Sequence, residues 1–295
     1  MKVNKLFIYF LIAASFLIIS ACGGGGGGGS AGTGELAIDI TDAKPLLPEG
    51  VTNFYVTITE VLAHRSGGAW ESLPLPQTPS PFTIDLLQFS DGITTELVPP
   101  VSLVSGKYTQ IRLVLEEGSA KIKFTDDPTE YTVVIPSGNL KTDKNIDFNV
   151  PSGGSVDLMI DFDLSQSIVV TDDGSGTLSY KCKPVLHIVD TFKAATITGT
   201  IAYSSFNGSD AIVTVFDANG EVYTKLTVEE DGVNNDVDFS IFWLVPNQVY
   251  RVEIDFDPPN GHEEFTEDVS ANNLGPGQVW YLNDPTTPND EGEPI

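Results

Sequence analysis

The sequence predicts an all-β protein, and three features of its 295 residues support that prediction. Apolar and polar residues alternate with a period of two in many short runs, as in strands that bury one face. Clusters of Gly, Pro, Asn and Asp separate these runs where turns are expected. After the N-terminal segment, no stretch carries a sustained apolar stripe of helical period. We therefore expect two tandem β-sandwich domains behind the N-terminal segment and a polyglycine tether.

Residues 1–21 have the composition of a secretory signal peptide. Two lysines give a positive start, and an almost unbroken apolar run follows over residues 6–19. This run is too short and wrongly flanked for a stable membrane-spanning helix. Small residues lead up to Cys22, a pattern that resembles the bacterial lipobox, with cleavage between Ala21 and Cys22. The resemblance implies that Cys22 carries a diacylglycerol; the alternative is an ordinary signal peptide that happens to contain a cysteine.

A polyglycine run, residues 23–29, directly follows the cysteine. Glycine loses the most backbone entropy on ordering, so residues 22–33 should form a flexible tether with a reach on the order of 20 Å. Two or more acyl chains give durable membrane attachment. Because position 24 is Gly rather than Asp, the resemblance to Gram-negative sorting favours the outer membrane. Whether the protein faces the periplasm or the cell surface stays open.

The chain is strongly acidic, with a formal net charge of −26. This charge excludes electrostatic binding of nucleic acid, which needs clustered Lys and Arg. It also argues against a head that lies flat on an anionic lipid surface. Solubility through self-repulsion explains the acids, and binding of divalent cations or of a basic partner is the alternative.

Cys182 is the second of two cysteines, so acylation of Cys22 leaves no intrachain disulfide. We expect a buried, inert thiol. The neighbouring Lys181 and Lys183 leave a reactive thiol as the alternative, because nearby cations lower a thiol pKa.

Six runs show the strand pattern most clearly. Their inward faces are expected to hold Leu36, Ile38 and Ile40; Phe54, Val56 and Ile58; Ile111, Leu113 and Leu115; Val156, Leu158, Ile160, Phe162 and Leu164; Val237, Phe239, Ile241 and Trp243; and Tyr250, Val252, Ile254 and Phe256.

A new series of strands starts near residue 195, so we predict domains over 34–192 and 195–283. Residues 284–295 are acidic and lack apolar periodicity, which predicts a disordered tail. Residues 72–81 contain four prolines and should form an extended loop.

Seven stretches of the first domain resemble, in order, the bacterial domain-of-unknown-function family 4382. They are GELAIDITDAKP (34–45), FYVTITEVLAHRSGGAWESL (54–73), TIDLLQF (83–89), GKYTQIRLVL (106–115), VIPSG (134–138), VDLMIDFDLSQSIV (156–169) and YKCKPVLHIV (180–189). The resemblance implies an exported, usually lipid-anchored β-sandwich, and it brings no catalytic residues.

The second domain is similar to carboxypeptidase regulatory-like sandwich modules. The similarity rests on ITGTI (197–201), AIVTVFDANGEV (211–222) and LVPNQVYRVEI (244–254). The glycine that usually precedes the tyrosine-bearing strand is replaced here by Pro246-Asn247-Gln248. Such modules are structural or binding units, not catalytic ones.

The sequence contains no recognisable set of catalytic residues. His64, His187 and His262 lie in unrelated contexts, without a nucleophile elbow or zinc-ligand spacing. His187 alternates with Val185 and Val189, as expected for a satisfied sheet residue. With 41 acids, any carboxylate pair can be proposed as a glycosidase site. We therefore expect a protein that is not an enzyme and has no cofactor.

Two acidic stripes are the remaining candidates for metal binding. Asp157, Asp161 and Asp163 are expected on the outer face of one strand, around Met159, and Glu253, Asp255 and Asp257 repeat the design. A solvated outer face is the simpler interpretation. Calcium is the alternative, although neither stripe has the loop spacing of a known calcium motif. Asp172-Asp173-Gly174 and Asp231-Gly232 are interpreted as turns.

Trp70 follows two glycines and precedes the proline-rich loop. We expect it to cap that loop, and an exposed ring for sugar stacking is the alternative.

Taken together, these features predict a non-enzymatic cell-envelope lipoprotein. It would present two β-sandwich heads for adhesion, envelope structure or scaffold assembly, with the membrane and an envelope protein as partners. The alternative is a surface module that binds calcium or polysaccharide.

Overall fold

Alternating apolar residues form strands along most of the chain. The computed structural model describes residues 32–42, 47–76, 81–136, 139–141, 147–172, 174–175, 178–206, 209–231, 235–256 and 264–282. The signal peptide, the lipidation and cleavage positions Ala21 and Cys22, His262, Asp257 and the tail 284–295 lie outside these residues. Within them, no helix is long and apolar enough to cross a membrane.

In the described residues up to Asp190 there are fourteen strands, one short α-helix, α1 (Leu164–Ser167), and one 3₁₀-helix, Leu86–Gln88. The strands are β1 (Thr33–Thr41), β2 (Val51–Arg65), β3 (Trp70–Leu73), β4 (Phe82–Asp85), β5 (Thr95–Val104), β6 (Gly106–Leu115), β7 (Lys121–Phe124), β8 (Asp127–Val134), β9 (Asn139–Lys141), β10 (Phe148–Val150), β11 (Ser155–Phe162), β12 (Ile168–Asp172), β13 (Leu178–Cys182) and β14 (Leu186–Asp190).

These strands form two sheets, which we call the N-terminal sheets. The smaller has the order β14-β11-β1-β5, in which β1 runs parallel to β11 and antiparallel to β5. The larger has ten strands, with the path β10-β6-β2-β7-β8-β13-β12 and with β3, β4 and β9 beside it. Side chains of both sheets join one hydrophobic cluster that extends from Leu36 to Ile188.

Seven further strands form two sheets, which we call the C-terminal sheets. They are β15 (Ala195–Ile201), β16 (Ala211–Phe216), β17 (Val222–Val228), β18 (Val237–Leu244), β19 (Tyr250–Asp255), β20 (Glu264–Val269) and β21 (Val279–Tyr281). Their orders are β18-β15-β21 and β17-β16-β19-β20, and a second hydrophobic cluster runs from Ala195 to Leu282. The described chain is thus nearly all-β and contains several sheets, as the alternating pattern predicts.

All but two of the residues expected on inward faces are buried. Leu36, Ile38 and Ile40 on β1 are fully buried, as are Val252 and Ile254 on β19. The two that are not buried, Val237 and Trp243, both lie on β18. Alternation along the chain therefore predicts the faces of these strands well.

Trp243 is displaced from the core by a β-bulge. Ile197 pairs with Ile241, but Ala195 pairs with Leu244, so β18 uses one residue more than β15 over this stretch. Trp243 takes a left-handed backbone conformation, with φ of 60°, and the fully buried position passes to Leu244. The prediction that Trp243 continues the buried face is wrong for this reason.

The first two residues of the proline-rich segment 72–81 belong to a strand. Ser72 and Leu73 belong to β3 and pair with Leu62 and Val61 of β2, so the predicted loop begins only after Leu73. Residues 77–80 lie outside the described chain. The turn at Asp172 is confirmed, because its Oδ1 accepts a hydrogen bond from the Gly174 N–H at 2.8 Å and Gly174 has φ of 83°.

Candidate functional site

The acidic stripe of β11 does not form the solvated outer face that the sequence predicts. Asp157 is half-buried, but only 7% of Asp161 is exposed, and Asp163 is fully buried. Asp163 lies beyond the end of β11, where its Oδ1 accepts the Gln166 N–H at 3.1 Å and caps α1. The predicted exposure of Asp161 and Asp163 is therefore wrong. Met159 is also buried, with 2% of its surface exposed.

The C-terminal sheets cover this face. α1 contacts β17, and β14 contacts β18. The carbonyl oxygen of Tyr223 on β17 accepts hydrogen bonds from Gln166 Nε2 at 2.6 Å and from His187 Nε2 at 2.9 Å. Because a carbonyl only accepts, His187 must carry a hydrogen on Nε2. The His187 and Tyr223 rings also stack, with centroids 4.1 Å apart and planes inclined by 20°.

A small cavity lies where the two pairs of sheets meet, and we call it the junction pocket. Its volume is about 20 Å³, which holds one water-sized body. Polar residues from both sides line it: Thr41, Asp42, Asp91 and Asp161 from the N-terminal side, and Tyr223, Thr224, Ser240 and Trp243 from the C-terminal side.

Asp42 is the most unusual group in the junction pocket. Only 1% of the residue is exposed, and its Oδ1 accepts the Leu164 N–H at 3.2 Å. Its Oδ2 is buried and has no hydrogen-bond partner. Burial raises the pKa of Asp42 well above its ordinary value, the Asp161 and Asp163 carboxylates raise it further, and the Leu164 N–H opposes them. Sequence reasoning missed this residue, because an Asp directly after a strand is typical of a turn.

The opposite wall of the junction pocket also carries buried polar atoms without partners. Thr224 is 2% exposed, and its Oγ1 makes no hydrogen bond. The Nε1 of Trp243 is likewise buried and unpartnered. Burial raises the pKa of Tyr223 well above its ordinary value, and the nearby Tyr250 and Asp161 contribute. The pocket therefore concentrates polar groups whose hydrogen bonds the protein itself does not complete.

The second acidic stripe has a different environment. Glu253 and Asp255 lie on the half-buried face of β19, opposite the buried Val252 and Ile254. The Oε1 of Glu253 lies 2.9 Å from Nε of Arg251. Asp257, the third member, is outside the described residues. In the described part of the chain, no three or more His, Cys, Asp or Glu side chains are grouped so that they could hold a metal ion.

Trp70 is half-buried and contacts two neighbouring side chains. It lies on β3 opposite His64, whose ring centroid is 4.9 Å from that of Trp70. The guanidinium carbon of Arg112 lies 4.0 Å from the ring centroid, so a cation–π contact covers one face. These contacts do not favour the sugar-stacking interpretation.

The thiol of Cys182 is fully buried. Burial raises its pKa to about 12, which favours the inert thiol over the reactive one. Lys181 on β13 and Lys183 directly after the strand are both exposed.

Comparison with known proteins adds one family. The model of a family described as "Domain of unknown function (DUF4382)" matches residues 33–184. Among curated proteins, nothing matches the chain. Among solved structures, the Bacillus anthracis TIE protein aligns with 85% of this chain, which spans 33% of that chain, at 10% identity and a TM-score of 0.21. A score this low supports no conclusion about fold or function.

Proposed function

The chain belongs to the DUF4382 family through residues 33–184, and from this premise we propose that it is a non-enzymatic lipoprotein of the bacterial cell envelope. It presents two β-sandwich heads, residues 34–192 and 195–283, on a flexible tether. The second head is a module similar to the carboxypeptidase regulatory-like sandwiches. The heads serve adhesion, envelope structure or scaffold assembly, and the outer membrane is the proposed location.

The observation that carries this proposal is the placement of Cys22. It closes an apolar segment with a positive start, and seven glycines follow it. Acylation at this position gives durable membrane attachment, and the glycine run lets a folded head clear the lipid headgroups.

The use of histidine supports a structural and not a catalytic protein. The Nδ1 of His64 lies 2.9 Å from the Thr109 hydroxyl, and its ring packs on Trp70. His187 is bonded to a backbone carbonyl and stacked on Tyr223. Both side chains thus hold strands together.

Intact-mass analysis of the full chain, expressed in a Gram-negative host, tests the lipid anchor. We expect a mature N-terminus at Cys22 with a mass increase equal to a diacylglycerol plus any N-acyl chain, and recovery in the membrane fraction. Cys22→Ser should abolish the added mass and prevent processing, whereas the control Cys182→Ser should remain lipidated. An N-terminus elsewhere, or a Cys22 thiol free of fatty acid, contradicts the proposal.

Protease treatment of intact cells then separates adhesion from an internal structural role. Digestion of the heads on intact cells supports adhesion. Protection that ends only when the outer membrane is permeabilised places the heads in the periplasm and excludes adhesion.

A further inference from the structure

Phe192 is the most exposed large apolar side chain in the described part of the chain, with 76% of its surface accessible to solvent. It lies in the turn that joins β14 to β15, and hydrogen bonds fix that turn. Asp190 accepts the Phe192 N–H on Oδ1 at 3.1 Å, and its carbonyl oxygen accepts the Lys193 N–H at 2.9 Å. The Lys193 carbonyl accepts the Gly277 N–H at 3.2 Å. A well-bonded turn therefore holds this ring in water, where it forgoes the free energy of burial.

The same turn borders a groove, which we call the edge groove. Its volume is about 580 Å³, and residues of β10, β11 and β14 line it. Because β10 ends the path of the larger N-terminal sheet and β14 ends the smaller one, the groove lies at an open side of the two sheets. Asp190 and Lys193 also line it, and Phe192 stands between them in the sequence. The ring and the groove are thus neighbours on one surface.

The edge groove opens onto the hydrophobic core. Its apolar lining includes Phe148, Val156, Leu158, Ile188, Val245 and Pro246. The first four of these belong to the hydrophobic cluster of the N-terminal sheets. A single exposed apolar side chain needs no explanation, but a projecting ring beside an apolar groove is typical of an interaction surface.

The charges around the edge groove are balanced, although the chain as a whole carries −26. Asp147, Asp190 and Lys193 are the charged residues that line it. Nζ of Lys193 lies 2.6 Å from Asp190 Oδ2, and Nζ of Lys107 lies 2.5 Å from Asp147 Oδ2. Two copies of the chain repel each other through their excess of acids. They can approach with the least repulsion where each acid is matched by a lysine.

These features together identify the partner. A basic protein finds no net charge to recognise on a balanced face, and a flat partner would leave the groove unfilled. A second copy carries the ring and the groove side by side, so a two-fold rotation can place each ring at the groove of the other copy. One arrangement then buries both rings and fills both grooves.

We propose that two copies of this chain associate about a two-fold axis, each inserting Phe192 into the edge groove of the other. The contact is isologous, because the same surface is used by both copies. Two rings and two grooves make a contact smaller than a standard interface, so we expect a weak dimer with a Kd of about 10⁻⁵ M.

Sedimentation equilibrium of the fragment 31–295, which forms one compact unit, measures the association. Between about 1 and 200 µM, in the presence of a reducing agent, the average mass should rise from one chain towards two. Raising NaCl from about 50 to 500 mM should strengthen the dimer several-fold, because salt screens the repulsion between two acidic chains. An association held by opposite charges would weaken instead and would contradict the proposal.

Phe192→Ser removes the ring from both copies. Because the ring is exposed in the single chain, Tm and the circular dichroism spectrum should not change, whereas Kd should rise at least about 100-fold. The matched control is Ile93→Ser, since Ile93 is also apolar, is 58% exposed and does not line the groove. This control should dimerise as the wild type does. An equal loss in both variants would indicate nonspecific association and overturn the proposal.

Ser155→Trp tests the other half of the contact. Ser155 is exposed at the start of β11 and lines the groove, so an indole there should occupy the space that Phe192 enters. This variant alone should also raise Kd about 100-fold. A mixture of Phe192→Ser and Ser155→Trp restores one ring and one groove per pair, so it should form a dimer only about tenfold weaker than the wild type.

Three results would overturn the reciprocal dimer. They are a wild type that stays monomeric at about 200 µM, a dimer that Phe192→Ser leaves intact, and a mixture that associates no better than its two components. If the wild type stays monomeric and binds phosphatidylcholine vesicles through Phe192, the ring is a membrane contact and the proposal is wrong. The fragment lacks Cys22, so none of these results bears on the lipid anchor.

Discussion

Cys182 lies between Lys181 and Lys183, yet strand geometry keeps its thiol away from both charges. Successive side chains of β13 point to opposite faces, so the lysines are exposed while the thiol is fully buried. A neighbouring cation lowers a thiol pKa only when it shares the environment of the sulfur. Burial dominates here and raises the pKa of Cys182 to about 12.

We therefore predict that Cys182 does not react in the folded protein. In the fragment 31–295, which lacks Cys22, an aromatic disulfide reagent at about pH 8 should release almost no thiolate product over an hour. After denaturation the same sample should release one equivalent within minutes. Rapid release of one equivalent from the native protein would show that the thiol is accessible and the prediction wrong.

At the scale of single elements, β1 is an interior strand of the smaller N-terminal sheet. It pairs with β11 on one side and with β5 on the other. Gly34 starts this strand at a point of close backbone approach. A Cβ at Gly34 would overlap the carbonyl oxygen of Pro151 and lie 2.8 Å from Cγ1 of Val150. A backbone carbonyl cannot rotate away as the end of a flexible side chain can.

Gly34→Ala should consequently destabilise the protein by about 3 kcal/mol, because β1 or the segment at Pro151 must shift. The free energy of unfolding from urea titration of the fragment 31–295 measures the effect. Gly50→Ala is the control. Gly50 has φ of 80° and open space around its Cβ position, so that change should cost only about 1 kcal/mol of backbone strain. A smaller loss for Gly34→Ala than for Gly50→Ala would contradict the steric explanation.

The comparison of β11 and β18 shows which features of an element can be predicted from sequence. Alternation is local, so it predicts correctly that Leu158, Ile160 and Phe162 face the core. Alternation does not predict that Trp243 leaves the buried face, because a bulge depends on the register with the partner strand. Alternation also predicts wrongly that Asp161 is exposed. Periodicity shows which residues share the second face of a strand, but it does not show whether another sheet packs on that face.

The candidate site could be predicted even less well than the strands. Its polar lining residues include Asp161 of β11, Thr224 of β17 and Asp42, which follows the end of β1. No sequence spacing links positions 42, 161 and 224, because only the docking of the C-terminal sheets brings them together. The sequence does single out Asp161, but as part of an acidic stripe with Asp157 and Asp163. Neither of those two residues lines the junction pocket.

At the scale of the whole molecule, hydrogen bonds and a ring stack connect two separately packed parts. Each pair of sheets has its own hydrophobic cluster, and the clusters contain different residues. Among the described residues, the hydrogen bonds that join them include the two that the Tyr223 carbonyl accepts from Gln166 and from His187. A hydrogen bond contributes about 1 kcal/mol and an aromatic stack about as much again, so His187 should contribute about 2 kcal/mol to the coupling.

His187→Ala should weaken that coupling by about 2 kcal/mol and separate the unfolding of the two parts. In calorimetry of the fragment 31–295, we expect one transition for the wild type and two overlapping transitions for this variant. The matched control is His64→Ala. His64 is also half-buried and packs on an aromatic ring at 4.9 Å, but that ring, Trp70, belongs to the same sheet. His64→Ala should lower Tm and keep a single transition, because it removes contacts within one part and none between the two. If His187→Ala only lowers Tm, as His64→Ala does, the two parts are held together by contacts other than the His187–Tyr223 pair.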